Sequence, residues 1–398
     1  MLLLEHAIIH PMKEENGKKE DTFTGSILVK NGRILEVSPS LTLPASADCE
    51  VIDVRHQHVF PGLIEAHCHM GIVEEKKGKE GDDCNEMVHP ITPMLRAIDA
   101  INTMDAAFHD AVRAGITAAM IGPGSANVVG GQFAVLKTSG RRVDDLIVKS
   151  PAAMKIAFGE NPKVNYDEMG ISPITRMGIA GLLRQELAKA RQYMEKRGTI
   201  EKDFHYEAWV PVFEKKIPLK AHVHRVDDIF TAIRIAKEFD LSLTLDHCSE
   251  GYLIAEELAA EGFPAIVGPS LVSRNKIEVQ NARFENAGIL ARNGVLVAIT
   301  TDHPVSLIQT LPLCAGLSVK AGLPMQEGLR AITSNAARIC GVSDRMGSLE
   351  VGKDADIAIF DGNPMEVFTN TLMTMIDGRI VYRNEDTKAL LANKMRVQ

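Results

Sequence analysis

The chain has 398 residues, 45% of them hydrophobic and 24% charged, an ordinary composition for a folded globular protein and not that of a disordered or collagen-like one. With 44 Lys plus Arg against 52 Asp plus Glu, the net charge is −8, and aromatics are only 5%. That balance offers no electrostatic footprint for nucleic acid or an anionic membrane surface, and few rings for base stacking.

At the N-terminus, MLLLEHAIIHPMKEENGKKE lacks a basic leader followed by a 7–15-residue apolar core, so no signal peptide is expected. No apolar stretch approaches the roughly 20 residues of a membrane span. The six cysteines (49, 68, 84, 248, 314, 340) form no CxxC pair and read as reduced thiols of a cytoplasmic protein. GSILVKNGRILEVSP predicts two strands about an Asn31-Gly32 turn, and CEVIDVRHQHVFPG adds a third. MGSLEVGKDADIAIFDGNP (346–364) and MTMIDGRIVYRNE have the same strand-and-turn texture. Residues 1–57 and 345–398 are therefore expected to form one composite β-sandwich domain.

Between them, residues 58–344 alternate eight short apolar runs with helical stretches. The runs are VFPGLIEAH, GITAAMIG, QFAVLKTSG, AAMKIAFG, IPLKAHVH, LSLTLDHC, FPAIVGPS and LVAITTDH. Continuous apolar runs suit buried parallel strands, and eight of them predict an α/β fold, a (β/α)8 TIM barrel, with a doubly wound sheet as the alternative. Catalytic groups gather at the C-terminal ends of barrel strands. Those ends carry His67-Cys68-His69, Lys155, His222-Val223-His224, Asp246-His247 and Asp302-His303. Residues i and i+2 on a strand share a face, so His67 and His69 can hold one metal ion. Imidazole with carboxylate suits zinc, iron, nickel or manganese.

Several loops are expected at the barrel mouth. GPGSANVVGG (122–131) fits neither phosphate-loop pattern and reads as a tight mouth loop, with Asn127 and Gln132 as candidate substrate contacts. Glu160–Lys163 reads equally as substrate contact or helix start. Met70 to Glu86 reads as a long charged insertion, either a solvated loop or a lid. No GxSxG elbow is present.

PGLIEAHCHMG (61–71), the histidines of runs five and six, Asp302 and the tail GSLEVGKDADIAIFDGNP together resemble the amidohydrolase superfamily. Gly81–Glu86, GPGSANVVGG and KIAFGENPK are similar to its imidazolonepropionase-related group. The resemblance implies a metal-dependent hydrolase of C–N bonds, an amide, cyclic amide or dipeptide. His67, His69, His222, His247 and Asp302 fall on ligand positions, and Asp302 is the implied general base. Lys155 falls where binuclear members carry a lysine carboxylated by CO2. His224 is left as a substrate contact or carbonyl-polarising group. The resemblance implies one or two divalent metals per chain, zinc first, a small-molecule substrate and a homo-oligomer of undefined size. A mononuclear deaminase or imidazolonepropionase-type ring hydrolase is the alternative, and an inactive scaffold is disfavoured because every ligand position is filled.

Overall fold

The structure, a computed structural model, describes residues 1–15, 18–41, 48–75, 78–384 and 393–394. Parts of the expected β-sandwich span and Lys76 and Lys77 of the insertion lie outside them. All eight apolar runs form strands, joined in one eight-stranded sheet that follows chain order. Its strands are Leu63–Cys68, Ile116–Ile121, Val129–Lys137, Ile147–Ala157, Leu219–Val223, Leu243–His247, Ala265–Val267 and Val297–Ile299. Helix Arg176–Lys196 lies between strands four and five, and Val226–Phe239 between strands five and six. Among the described residues no helix is long and apolar enough to cross a membrane.

The third strand departs from the expected barrel. Val129–Lys137 pairs antiparallel with both neighbours, whereas the remaining pairs are parallel. The cause is the connection. Residues 122–128 link strands two and three, too short for a crossover of a dozen or more residues, whereas antiparallel neighbours need only a short turn. GPGSANVVGG is thus a hairpin connection at the mouth.

Side chains, rather than a strand ladder, bring the last strand to the first. Glu65 Oε2 accepts from the Thr301 amide at 2.9 Å and its hydroxyl at 2.7 Å, and Oε1 accepts from the His67 amide at 3.1 Å. Thr300 Oγ1 donates to the His67 carbonyl at 2.5 Å, and the His69 amide donates to the His303 carbonyl at 2.7 Å. The carboxyl of PGLIEAHCH therefore fastens the two strands that deliver His67, His69 and Asp302. Burial pushes the Glu65 carboxyl up to about 7, against these hydrogen bonds.

Strands from both chain ends meet in one nine-stranded sheet, with seven in the order Arg379–Arg383, Thr371–Ile376, Ile357–Phe360, His58–Pro61, Leu2–Ile9, Phe23–Lys30, Arg33–Ser38, and with Glu50–Asp53 and then Asn393–Lys394 branching from Leu2–Ile9. Their apolar side chains, Leu4, Ile27, Ile52, Val59, Ile357 and Met373 among them, share a core separate from the barrel's. The described strands are joined in a sheet that forks, because Leu2–Ile9 pairs with Glu50–Asp53 through its first half and His58–Val59 through its second. The fork lies at a bulge between Leu4 and Ala7, where His6 has φ 55°. His58–Pro61, expected in the barrel, belongs to this sheet.

Because strand three runs backwards, its last residue reaches the floor beneath the barrel. There Lys137 Nζ meets Asp354 at 3.0 Å, Asp356 at 2.5 Å and Asp377 at 3.2 Å. Asp354 also pairs with Arg33 and, at 2.8 Å, with Arg345. The DAD of the C-terminal tail is thus a buried ionic clamp between sheet and barrel. Lys137→Met should cost about 3–5 kcal/mol, the penalty typical of leaving buried carboxylates without their partner. Denaturant titration checks this. A loss below about 1 kcal/mol would show that the clamp is not holding the two parts together.

Candidate metal centre

Six ligand side chains converge at the C-terminal ends of the parallel strands. The candidate ligand atoms of His67, His69 and Asp302 lie within 4.8 Å of one another, and so do those of His222, His224 and His247. The rings of His67 and His247 are 5.2 Å apart, so the two groups are neighbours. His67, His69 and Asp302 come from strand ends one and eight, the others from five and six. Alternation explains the histidine pairs: on strand five, Lys220, His222 and His224 share a register face.

Alternation would send Asp246 and His247 to opposite faces. His247 instead has φ 69° and Cys248 φ 46°, and Asp302 has φ 53°. Left-handed backbone at non-glycine residues is uncommon and costs roughly 1–3 kcal/mol each, so its presence at two candidate ligands marks a constrained site. The twist lets Asp246 and His247 both serve the centre.

Three histidines have Nδ1 hydrogen-bonded from behind, and His67 Nδ1 has a carboxylate close by without an aligned hydrogen bond. His69 Nδ1 faces the Gly122 carbonyl at 2.7 Å, and His247 Nδ1 faces that of Gly268 at 2.7 Å. His224 Nδ1 meets Ser249 Oγ at 2.7 Å, and His67 Nδ1 meets Asp246 Oδ2 at 3.0 Å. Such partners fix ring orientation and turn Nε2 toward a metal. Asp302 Oδ1 lies 3.3 Å from His67 Nε2 and 3.2 Å from His69 Nε2, yet it makes no aligned hydrogen bond and is buried. A carboxyl oxygen held at that spacing from two imidazole nitrogens fits a shared divalent cation.

Electrostatics agree with that donor set. Burial lowers His67, His222 and His247, and lowers His224 to about 3, so these rings stand neutral with a lone pair to give. Burial opposes ionisation of Asp302, but His247, His67 and His69 hold its carboxyl well below the usual range. His69 is the exception: burial pulls it down, and the Cys84 and Asp302 side chains outweigh that and raise it to about 10.

Lys155 is fully buried at the floor of the centre, with Nζ 3.5 Å from His67 Nε2 and 3.9 Å from Asp246. Burial lowers it to about 8. A second buried lysine, Lys220, sits beside it in register and lies within 5.4 Å of the Phe133 ring, which Lys155 also faces at 5.6 Å. Lys220 donates to the Ala66 carbonyl at 3.1 Å and to Asp246 at 3.2 Å.

Asn127 and Gln132 are placed otherwise. Asn127 Nδ2 donates to the carbonyls of Glu86 and His89, at 2.6 and 2.7 Å, and Gln132 Nε2 to that of Pro93 at 3.2 Å. Both amides thus pin the segment that follows strand one. Cys84 of that insertion approaches His69, so the segment reaches the centre. His303 is buried behind the site, its Nδ1 accepting from the Ile308 amide at 3.2 Å. Glu160–Glu168 forms a helix directly after strand four. A cavity of about 580 Å³ opens beside His247, with Ser249, Pro269, Arg274 and Arg283 on its wall.

Asp246 was marked from the sequence only as part of a polar strand end, with no role, and Lys220, Ser249 and Glu278 were not singled out. Lys220 had a usable signal, an ionisable residue on an apolar strand one place before Ala221-His222. Glu278 had none, lying in a loop without periodicity.

Divalent cation should stabilise the fold, since a ligand that binds only the folded state adds about 2.7 kcal/mol at 100 times its Kd. Chelator treatment should lower Tm by several degrees and Zn2+ should restore it, measured by differential scanning calorimetry. An unchanged Tm across chelation and Zn2+ addition would speak against a metal centre.

A family model for the Amidohydrolase family matches residues 229–382. The solved structure of an amidohydrolase from Thermotoga maritima MSB8 is 38% identical, with a TM-score of 0.92 over 96% of this chain and 100% of that one. Amidohydrolase tasK of Hapsidospora irregularis is 26% identical over 89% of this chain, which spans only 39% of tasK. An imidazolonepropionase of Mesorhizobium japonicum is 24% identical, covering 85% of this chain and 86% of that enzyme. The matched segment, the full-length likeness and the ligand geometry agree: the chain belongs to the amidohydrolase superfamily, hydrolases that act on carbon–nitrogen bonds.

Proposed function

We propose that the protein hydrolyses an amide C–N bond in a small molecule, with ring amides and dipeptides as the substrate classes, at a centre holding two divalent metals. The observation that carries this reading is the convergence of two candidate ligand groups, with three rings held through Nδ1 and Asp302 Oδ1 aimed inward without an aligned partner. His67, His69 and Asp302 would hold one ion, and His222, His224 and His247 the other. His224 is then a ligand, not the carbonyl-polarising group expected from its place after strand five. A divalent ion bound here supplies Lewis acidity and a water of lowered pKa.

The remaining chemistry belongs to the chain. Asp302, ionised among imidazoles, takes the proton from the attacking water and returns it to the leaving nitrogen. Asp246 Oδ2 stands 3.0 Å from His67 Nδ1, with Lys220 hydrogen-bonded to its other oxygen, so a carboxylate backs the His67 ring. The 580 Å³ cavity lies in the range of small-molecule sites, and Arg274 and Arg283 on its wall suit a substrate bearing a carboxylate. Lys155 is read as a carbamate: its neutral amine adds CO2 and releases one proton, leaving an anion between the two ligand groups. Burial supports this, because a bare ammonium is costly to desolvate and would be repelled by neighbouring cations. The second reading, a mononuclear ring hydrolase, is favoured by the likeness to imidazolonepropionase and leaves Lys155 a free amine.

A hydrolysis screen of N-acyl amino acids, dipeptides, lactams and cyclic ureides with Zn2+- or Mn2+-loaded protein tests the activity. Asp302→Asn should lower kcat by about 10²–10⁴, as expected for loss of a general base, while keeping the fold. More than about a tenth of wild-type kcat would remove Asp302 from that role. Lys155→Ala should lose about one metal equivalent per chain, read by elemental analysis. Unchanged metal content would leave the mononuclear reading.

A further inference from the structure

The loop after strand seven, residues 268–286, crosses the mouth of the barrel and carries one fully buried acid, Glu278, 1% exposed. Its two carboxyl oxygens have different surroundings. Oε2 accepts from the Glu160 amide at 2.7 Å, and Glu160 Oε2 accepts in return from the Glu278 amide at 3.2 Å. This reciprocal pair locks the loop to the end of strand four. It also demands the glycine at 159, which has φ 82° and where any Cβ would meet Glu278 Oε2 at 2.7 Å. The lock extends through Lys276, whose Nζ donates to Asn161 Oδ1 at 2.5 Å.

Oε1 points the other way and is buried with no hydrogen-bond partner. It lies 3.6 Å from His222 Nε2 and 3.7 Å from His224 Nε2. Ligands at about 2.0–2.2 Å from a tetrahedral zinc stand about 3.3–3.6 Å from one another, so Oε1 occupies the edge distance of a coordination polyhedron, not that of a hydrogen bond. An unsatisfied buried carboxyl oxygen costs stability unless something else completes it. Asn161 Nδ2, 3.4 Å from His222 Nε2, is the competing neighbour there and is also held by Ser125 Oγ at 2.7 Å.

We infer that Glu278 is a ligand of the second metal position, completing His222, His224 and His247 with one carboxylate oxygen. The inference rests on the two-metal reading above and adds to it a loop-borne anion that shares the charge of the second cation. The loop lock at Glu160 sets the carboxylate before any ion arrives.

Glu278→Gln is the informative variant. Its carbonyl oxygen can still accept from the Glu160 amide, while the inward position becomes an amide nitrogen with no lone pair to give. Zn2+ competition against a chromophoric chelator should show two tight equivalents in wild type. In the variant, one of them should weaken by more than about tenfold, at least the loss typical of disturbing a metal's surroundings. The visible spectrum of the Co2+-loaded variant should change in step. Tm of the metal-free variant should equal or exceed that of metal-free wild type, because an unsatisfied buried carboxylate has been removed. Zn2+ affinities within about twofold of wild type, with a lowered metal-free Tm, would overturn the inference and leave Glu278 a loop fastener. Wild-type protein that takes up no Zn2+ would fail the metal reading itself, and the inference with it.

Discussion

The centre depends on occupied Nδ1 atoms. A histidine bonded behind its ring has a fixed orientation and one free nitrogen, and here three rings are held in that way by Gly122, Gly268 and Ser249, while Asp246 Oδ2 stands 3.0 Å from His67 Nδ1 as a charged neighbour. Asp246 is the most connected of these partners, because its other oxygen is tied to Lys220 in the barrel interior. Without these anchors the rings would be free to turn their nitrogens away from the centre. With them, their lone pairs meet. The positive φ values at His247 and Asp302 are the backbone cost of the same arrangement, and they occur at the site and not at the apolar strand centres.

The scaffold delivers those anchors through two devices outside the strand ladder. Glu65 and the two threonines before Asp302 draw strand eight onto strand one, so that His67, His69 and Asp302 stand together although they come from opposite ends of the barrel segment. The reversed third strand frees the mouth for the 122–128 hairpin, whose Asn127 gathers the segment after strand one over the centre. It also carries Lys137 to the floor, where the acids of the C-terminal tail close around it. One change of strand direction thus serves the site above and the sheet below.

Most of the fold was legible because burial writes itself as apolar runs, and all eight runs became strands. Direction was not, since an antiparallel buried strand is as apolar as a parallel one. The short link at 122–128 was the available signal. The forked sheet was hidden in the same way: nothing in LLLEHAII says that its halves pair with different partners. At the site, His67, His69, His222, His247, Asp302 and Lys155 were visible as polar residues ending apolar strands. Lys220 was equally visible and carried the same weight. Asn127 and Gln132 drew attention by their loop, and their amide nitrogens donate to neighbouring carbonyls. Glu278 was invisible, because a loop residue gains meaning only once the chain folds back over the mouth.

The proposed centre has two ions side by side, one on each ligand group. Anomalous scattering at the zinc edge, from crystals of the Zn2+-loaded protein, tests it most directly. The expected map has two peaks, one among His67, His69 and Asp302 and one among His222, His224 and His247. A single peak at full occupancy, or peaks away from these side chains, would contradict it.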